Sequence, residues 1–226
     1  MSILKVLFVH LIQVENKKLE SGNTLIHFSP EEISERENYK FLIGSIIPRP
    51  VALITSVSGD EVLNVAPFSY FNIVTSNPPI VSVALQRKDG KLKDTARNIL
   101  EKKEAVIHIV DHLNVDEANK TAANLDEDES EFDLTNFTLL PSKTVDIPSL
   151  KEARIRFEVE LEKHIPLEND GVPSVDLMLL KIKQYHIQED IYHEGRIDPE
   201  GLGAISRLAG HDYAEIGKIF TIKRPD

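Results

Sequence analysis

Residues 153–161 alternate without a break: Ala153, Ile155, Phe157, Val159 and Leu161 fall on one side, Arg154, Arg156, Glu158 and Glu160 on the other. An extended chain sends successive side chains to opposite faces, so this period of two predicts a strand with one face buried and one wet. Residues 175–191 continue as a longer strand whose length predicts a bend or bulge. Upstream, short runs rich in β-branched and aromatic residues recur at 51–57, 61–65, 68–74, 80–85 and 105–110, with a brief one at 137–140. Turn residues divide them: Ser58-Gly59-Asp60 makes a hairpin of the first two, and Ser76-Asn77-Pro78-Pro79 closes the third. Residues 94–103 read as a helix, with Asp94 or Thr95 at its start and Ala96, Ile99 and Leu100 sharing a face. Residues 114–124 read as a second, and Ser29, Pro30 and Glu32 form a capping-box pattern for a third. Many strands, short helices and no strand–helix alternation predict a mainly β, largely antiparallel barrel rather than a parallel doubly wound sheet.

The chain's 226 residues suffice for one substantial core, and no linker or internal repeat marks a second domain. A formal charge of -11 excludes a general role on nucleic-acid phosphates, while leaving room for a local basic site that takes one phosphate. With no cysteine, disulfides, thiolate chemistry and Cys-ligated clusters are excluded. The apolar run at 3–14 is broken by Lys5, His10 and Gln13 and is too short to span a bilayer. Glu15-Asn16-Lys17-Lys18 follows it in place of a small-residue cleavage site, so no secretory signal is expected. Residues 1–38 are expected to be an N-terminal extension packed on a domain of 39–226, in a cytoplasmic protein.

The stretch 44–71, GSIIPRPVALITSVSGDEVLNVAPFSYF, carries the strongest hint of a site. Its prolines fix an extended entry around Arg49. Polar Thr55, Ser56, Asn64 and Ser69 then stand among apolar residues, a mixture suited to a flat aromatic ligand with a polar tail. Lys91-Leu92-Lys93-Asp94-Thr95 places two lysines and a threonine where a helix starts, and free N–H groups with the helix dipole favour an anion there. Arg207 is a further candidate cation. Metalloprotease, hydrolase and P-loop motifs are absent, and Gly201-Leu202-Gly203 reads as a turn. His108 and His112 are four apart on or beside a strand, which gives no helical ligand pair. The acidic run 126–131 lacks the spacing of a calcium loop and reads as solvated. No metal site is expected.

Taken in order, PRPVALITS, NVAPFSYFN, NPP, KDTARNI and RLAGHDY resemble the flavin reductase-like family with an FMN-binding split barrel, close to the flavoredoxins. The resemblance covers roughly residues 39–213 and implies an antiparallel Greek-key split β-barrel, a homodimer, and FMN near the subunit interface. Position by position, it implies that Thr55 and Ser56 meet the flavin or its ribityl-phosphate chain. Asn64, Ala66, Pro67 and Ser69 would frame the ring, and Lys93, Asp94 and Thr95 would serve the phosphate, with Arg49 and Arg207 contributing. Leu208-Ala209-Gly210 departs from the family's usual pattern, and no residue is assigned to a nicotinamide or to catalysis.

The implied activity is FMN-dependent oxidoreduction: hydride transfer from NADH or NADPH to flavin N5, then electron transfer to another flavin, a partner oxygenase or another acceptor. Because the cofactor carries that chemistry, missing acid, base and nucleophile motifs are expected. A non-enzymatic FMN-binding electron carrier, and a barrel interaction domain that has lost the cofactor, are the alternatives. Neither a nucleic acid nor a membrane is expected as partner.

Overall fold

The computed structural model describes residues 25–123, 125 and 129–225, so the apolar run at 3–14 lies outside the described residues. The chain divides into two units, Met1–Ser45 and Ile46–Asp226. In the first, Glu32 accepts the Ser29 N–H at 2.9 Å over the short 3-10 turn Pro30–Glu32, as the capping pattern predicts. A second box starts helix α1 (Glu35–Ser45): Ser34 Oγ accepts the Glu37 N–H and Glu37 Oε2 accepts the Ser34 N–H. Ile43 is its one buried residue, while Tyr39, Phe41 and Leu42 are exposed.

The second unit is built on seven strands: β1 (Ala52–Val57), β2 (Leu63–Phe68), β3 (Phe71–Ser76), β4 (Pro79–Gln86), β5 (Glu104–Ile109), β6 (Ile155–Asn169) and β7 (Val172–Ile187). Helix α2 (Asp94–Lys102) joins β4 to β5, and α3 (Val115–Lys120) follows β5. All ladders are antiparallel, in the order β2-β1-β5-β6-β7-β4-β3.

That order forces the sheet to roll. In a flat sheet its two edges, β2 and β3, would lie six strand spacings apart, roughly 29 Å at about 4.8 Å each. Yet only Ser69 and Tyr70 separate Phe68 from Phe71, a reach of at most about 11 Å. The edges therefore meet at this corner, where Tyr70 O accepts the Ala84 N–H of β4 at 2.9 Å. Inside the curl, Ala52, Ile54, Phe68, Phe71, Val83 and Met178 form one core, and α2 adds Ala96 and Ile99 to it. Ile99 is fully buried, which contributes about 1.5–3 kcal/mol.

β1 shows no alternation in its sequence because both of its faces are covered. Val51 and Leu53 pack outward with Val65, Val110, Ala118, Phe137, Leu150 and Ile205 in a second core. His108 is locked beside it. Its Nδ1 donates to Leu53 O and its Nε2 accepts the Leu150 N–H, each at 2.9 Å. Burial pushes its pKa down to about 3, so the ring is neutral with its proton on Nδ1.

The expectation of a wet face on 153–161 is corrected by Glu158, which is fully buried. Residues 143 and 144 cross over that face: Glu158 accepts the Lys143 N–H (2.7 Å), the Thr144 N–H and hydroxyl (2.6 Å each) and His186 Nε2 (2.6 Å). Alternation reports which side chains share a face, not whether another segment lies on it. The expected irregularity in the following strand is present as register shifts at Leu179/Leu180 and Ile182/Gln184. No helix among the described residues is long and apolar enough to cross a membrane.

Candidate functional site

Helix α2 begins on a residue ill-suited to an isolated helix. Lys93 is its N-cap, extended at φ -72 and ψ 153, with no side-chain capping bond. A lysine cannot accept the free N–H groups of the first turn, and its charge opposes the positive end of the helix dipole. The arrangement becomes favourable when those N–H groups and the ammonium share an external anion. Asp94 does not neutralise the lysine; its carboxylate pairs with Arg97 at 2.7 Å, and the Lys93 ammonium lies 5.8 Å from the centre of the Phe68 ring.

Two strands of the second unit, β1 and β2, come to this helix start. Ser56 of β1 and Asn64 of β2 are register partners on the face towards α2. Asn64 Nδ2 donates to Thr95 Oγ1 at 2.7 Å and reaches Ser56 Oγ at 3.4 Å. Asn98, one turn further along α2, donates from Nδ2 to Ser56 Oγ at 3.2 Å. Ser56, Asn64, Thr95 and Asn98 are all buried. A small cavity of about 10 Å³ adjoins them, lined by Ser58, Val62, Asn64, Asp94, Arg97, Asn98 and Glu129. Ala66, Pro67 and Ser69 continue along β2 to the rolled corner and are half-buried.

Other candidates stand elsewhere. Thr55 follows the strand alternation to the opposite face, where its hydroxyl donates to Pro148 O at 2.7 Å. Arg49 and Arg207 are register partners in a separate small sheet made by Arg49–Pro50, Ser206–Arg207 and Tyr213–Ala214. Arg49 is buried and donates to Ile46 O and Leu208 O at 2.8 Å each, stapling the two segments. Arg207 stacks on Tyr213 at 4.4 Å and donates to Gly210 O.

Sequence reading missed Asn98. Its signal was a polar residue on the apolar face of α2, three positions after Thr95 and beside Ile99. The acidic run 126–131 also needs correction at one end. Glu131 is buried, and its Oε2 accepts the Val65 N–H at 3.3 Å, because edge strand β2 needs an acceptor there. Burial pushes the Glu131 carboxyl up, partly offset by backbone N–H groups.

Two buried carboxylates make poor proton donors near neutral pH. Burial would raise Asp176, but Arg87 (2.9 and 2.8 Å) and His164 (2.8 Å) outweigh it and hold its pKa low. Glu158 is held down to about 2: burial raises it, and the Thr144 hydroxyl, the N–H groups and His186 prevail. No group of three His, Asp or Glu side chains among the described residues could hold a metal ion. A larger cleft, about 440 Å³, opens at Asp116, Asn119, His211, Tyr213 and Glu215.

A family model, the flavin reductase like domain, matches residues 43–201. The uncharacterized protein YwrF of Bacillus subtilis is 42% identical over 201 residues, covering 88% of this chain and 98% of that protein. Among solved structures, nitrilotriacetate monooxygenase component B from Bacillus cereus is 50% identical with a TM-score of 0.87, covering 88% of this chain and 100% of that one. The 2-nitrobenzoate 2-nitroreductase NbaA of Pseudomonas fluorescens is 27% identical with a TM-score of 0.78, covering 88% and 96% respectively.

Proposed function

The chain belongs to the flavin reductase like domain family, and we propose that it is an FMN-dependent oxidoreductase whose cofactor lies along β2 with its phosphate at the start of α2. The observation that carries this reading is the Asn64–Thr95 hydrogen bond of 2.7 Å. It joins a ring-sized run of half-buried residues to an uncapped, lysine-headed helix start, which are the two chemistries a flavin mononucleotide needs. The rolled sheet is read as the Greek-key split β-barrel.

In this proposal Lys93, Thr95 and the first N–H groups of α2 hold the phosphate, with Asp94 keeping Arg97 in place beside it. Ser56, itself buried, backs the phosphate end by accepting the Asn64 and Asn98 amides. Asn64 and Ser69 meet the polar edge of the ring, and Ala66 and Pro67 offer a low wall that lets it approach the strand. Thr55, Arg49 and Arg207 shape the pocket through the segments they tie together. Bound FMN would supply the acceptance of a hydride from NADH or NADPH and the release of electrons to an acceptor. The chain's own residues orient the ring and limit its access to water.

Likeness to a monooxygenase component B adds an oxygenase as the candidate electron-accepting partner. A homodimer is part of the reading. Ile73 and Val74 on edge strand β3, and Ile219, Phe220 and Ile222 near the C-terminus, are exposed apolar surface that a second copy would cover.

Titration of the purified protein into FMN, followed by visible absorbance and fluorescence, is expected to perturb the flavin bands at a one-to-one ratio. Steady-state oxidation of NADH or NADPH is expected with FMN and not without it. An unperturbed flavin spectrum would end the proposal. Binding without nicotinamide turnover would leave the electron-carrier reading in its place.

A further inference from the structure

We propose that Lys88, Lys91 and Lys93 form a positive patch through which this protein selects negatively charged electron acceptors, against the sign of its overall charge. The proposal rests on the FMN reading above and names the substrate class of that same site.

The three lysines fall between β4 and α2, the last of them at the helix start, and all are exposed. Asp89 is the one acidic residue among 88–93, and the next, Asp94, is paired with Arg97. No carboxylate among the described residues forms an ion pair with Lys88, Lys91 or Lys93, in a chain whose formal charge is -11. Local structure fixes the patch. Asp89 and Gly90 take φ of 53° and 73°, the left-handed pair of a tight turn, and the Lys91 N–H donates to Lys88 O at 2.9 Å. That closure makes Lys88 and Lys91 antiparallel bridge partners. Residues directly opposite share a face, and like charges there are destabilising. Arg87 holds the turn nonetheless. Its guanidinium donates to Gly90 O at 3.2 Å and to both oxygens of buried Asp176 at 2.9 and 2.8 Å, and its backbone N–H donates to Ser174 O at 2.8 Å. A turn with an unfavourable charge pair at its base, anchored by a buried carboxylate, is a rigid mount for positive charge.

Because the lysines are exposed, they act as a field on an approaching anion rather than as the wall of a closed pocket. Lys91 lies two residues from Lys93, at most about 7 Å of chain, which is inside the screening length of about 10 Å at 0.1 M salt. Lys93 heads α2, where the proposed flavin phosphate sits. A local field of this kind speeds encounter with a partner of opposite sign by roughly 10- to 1,000-fold and fades steeply with ionic strength. The overall charge acts the other way, since -11 repels an anion. The patch and the overall charge therefore predict salt effects of opposite sign.

The test follows reoxidation of the FMN-loaded chain, reduced beforehand with dithionite and mixed without oxygen with one of three acceptors. These are ferricyanide, a trivalent anion; hexaammineruthenium(III), a trivalent cation; and neutral benzoquinone. Two ferricyanide ions each take one electron from one fully reduced flavin, which releases its protons to water. As sodium chloride is raised from about 0.01 to about 0.5 M, the ferricyanide rate constant is expected to fall and the hexaammineruthenium rate constant to rise, with benzoquinone changed less than about twofold. Lys88→Glu combined with Lys91→Glu, at saturating FMN, should reverse both signs and slow ferricyanide about tenfold at low salt. A ferricyanide rate that rises with salt in the wild type, or unchanged signs in the double variant, would overturn the patch. If that variant lacks a cooperative thermal transition, Lys88→Gln with Lys91→Gln takes its place, and unchanged salt slopes would overturn the patch in the same way. A wild-type chain that leaves the flavin spectrum unperturbed would overturn the FMN reading itself, and FMN binding with the wrong salt sign would overturn only the patch.

Discussion

Lys93→Glu should weaken FMN roughly a hundredfold, by removing one cation from the phosphate and adding a like charge. The same change should not lower the melting temperature. Lys93 is exposed, heads α2 without a capping bond, and sits at the positive end of the helix dipole, where glutamate is the better residue. Lost affinity with retained or raised stability is the signature of a residue kept for a ligand at a cost to the fold. A calorimetric melt and an FMN titration on the same preparation check it. Unchanged affinity would remove Lys93 from the phosphate site, and a lowered melting temperature would make it a structural residue.

The second large effect concerns stability. Glu158→Gln should cost about 3 kcal/mol at neutral pH, because a carboxyl held at about 2 against an ordinary 4.5 reports that much preference for its folded surroundings. The amide keeps the shape, but its NH2 faces the N–H donors of Lys143 and Thr144 or His186. The sign with pH follows from the depressed folded value. The contribution is complete above about pH 4.5 and is lost as pH falls towards 2. His108 adds to acid sensitivity from higher pH: its unfolded ring titrates near 6.5 and its folded ring near 3, so stability falls between those values. Urea unfolding across pH 2–7 should therefore show wild type and Glu158→Gln far apart at neutrality and converging in acid. A difference below about 1 kcal/mol at pH 7 would contradict this account of the buried carboxylate.

How far the fold was legible depended on which physical signal each element carried. The period of two in β6 and the continuous apolar run of β4 gave strands where the structure has them. The rolling of the sheet was not readable from any one strand, since it follows from β2 and β3 being sequence neighbours at opposite edges of the order. Helix α1 carries a weak sequence signal because its apolar residues crowd into 39–43 after the charged start Glu35-Arg36-Glu37, too short a run to establish a period. Glu158 and Glu131 were read as solvated because one chain position cannot show which distant backbone N–H needs a carboxylate.

The site divides the same way. Ser56, Asn64, Lys93 and Thr95 carried local chemistry that pointed to a ring and a phosphate, and the fold brings three of them into one hydrogen-bonded cluster. Thr55 and Ser56, adjacent in sequence, had to part because neighbours on a strand face opposite ways. Asn98 carries only a weak signal, a polar residue beside Ile99 on the apolar face of α2, and its partner Ser56 lies on a strand distant in sequence.

The central claim is that FMN binds with its phosphate where β1, β2 and the start of α2 meet. A crystal structure of the chain with FMN tests it most directly. The account predicts phosphate oxygens within hydrogen-bond distance of Thr95 and the first N–H groups of α2, with the ring against Ala66 and Pro67. A phosphate held instead by Arg49 and Arg207, or in the cleft between Asn119 and His211, would contradict it.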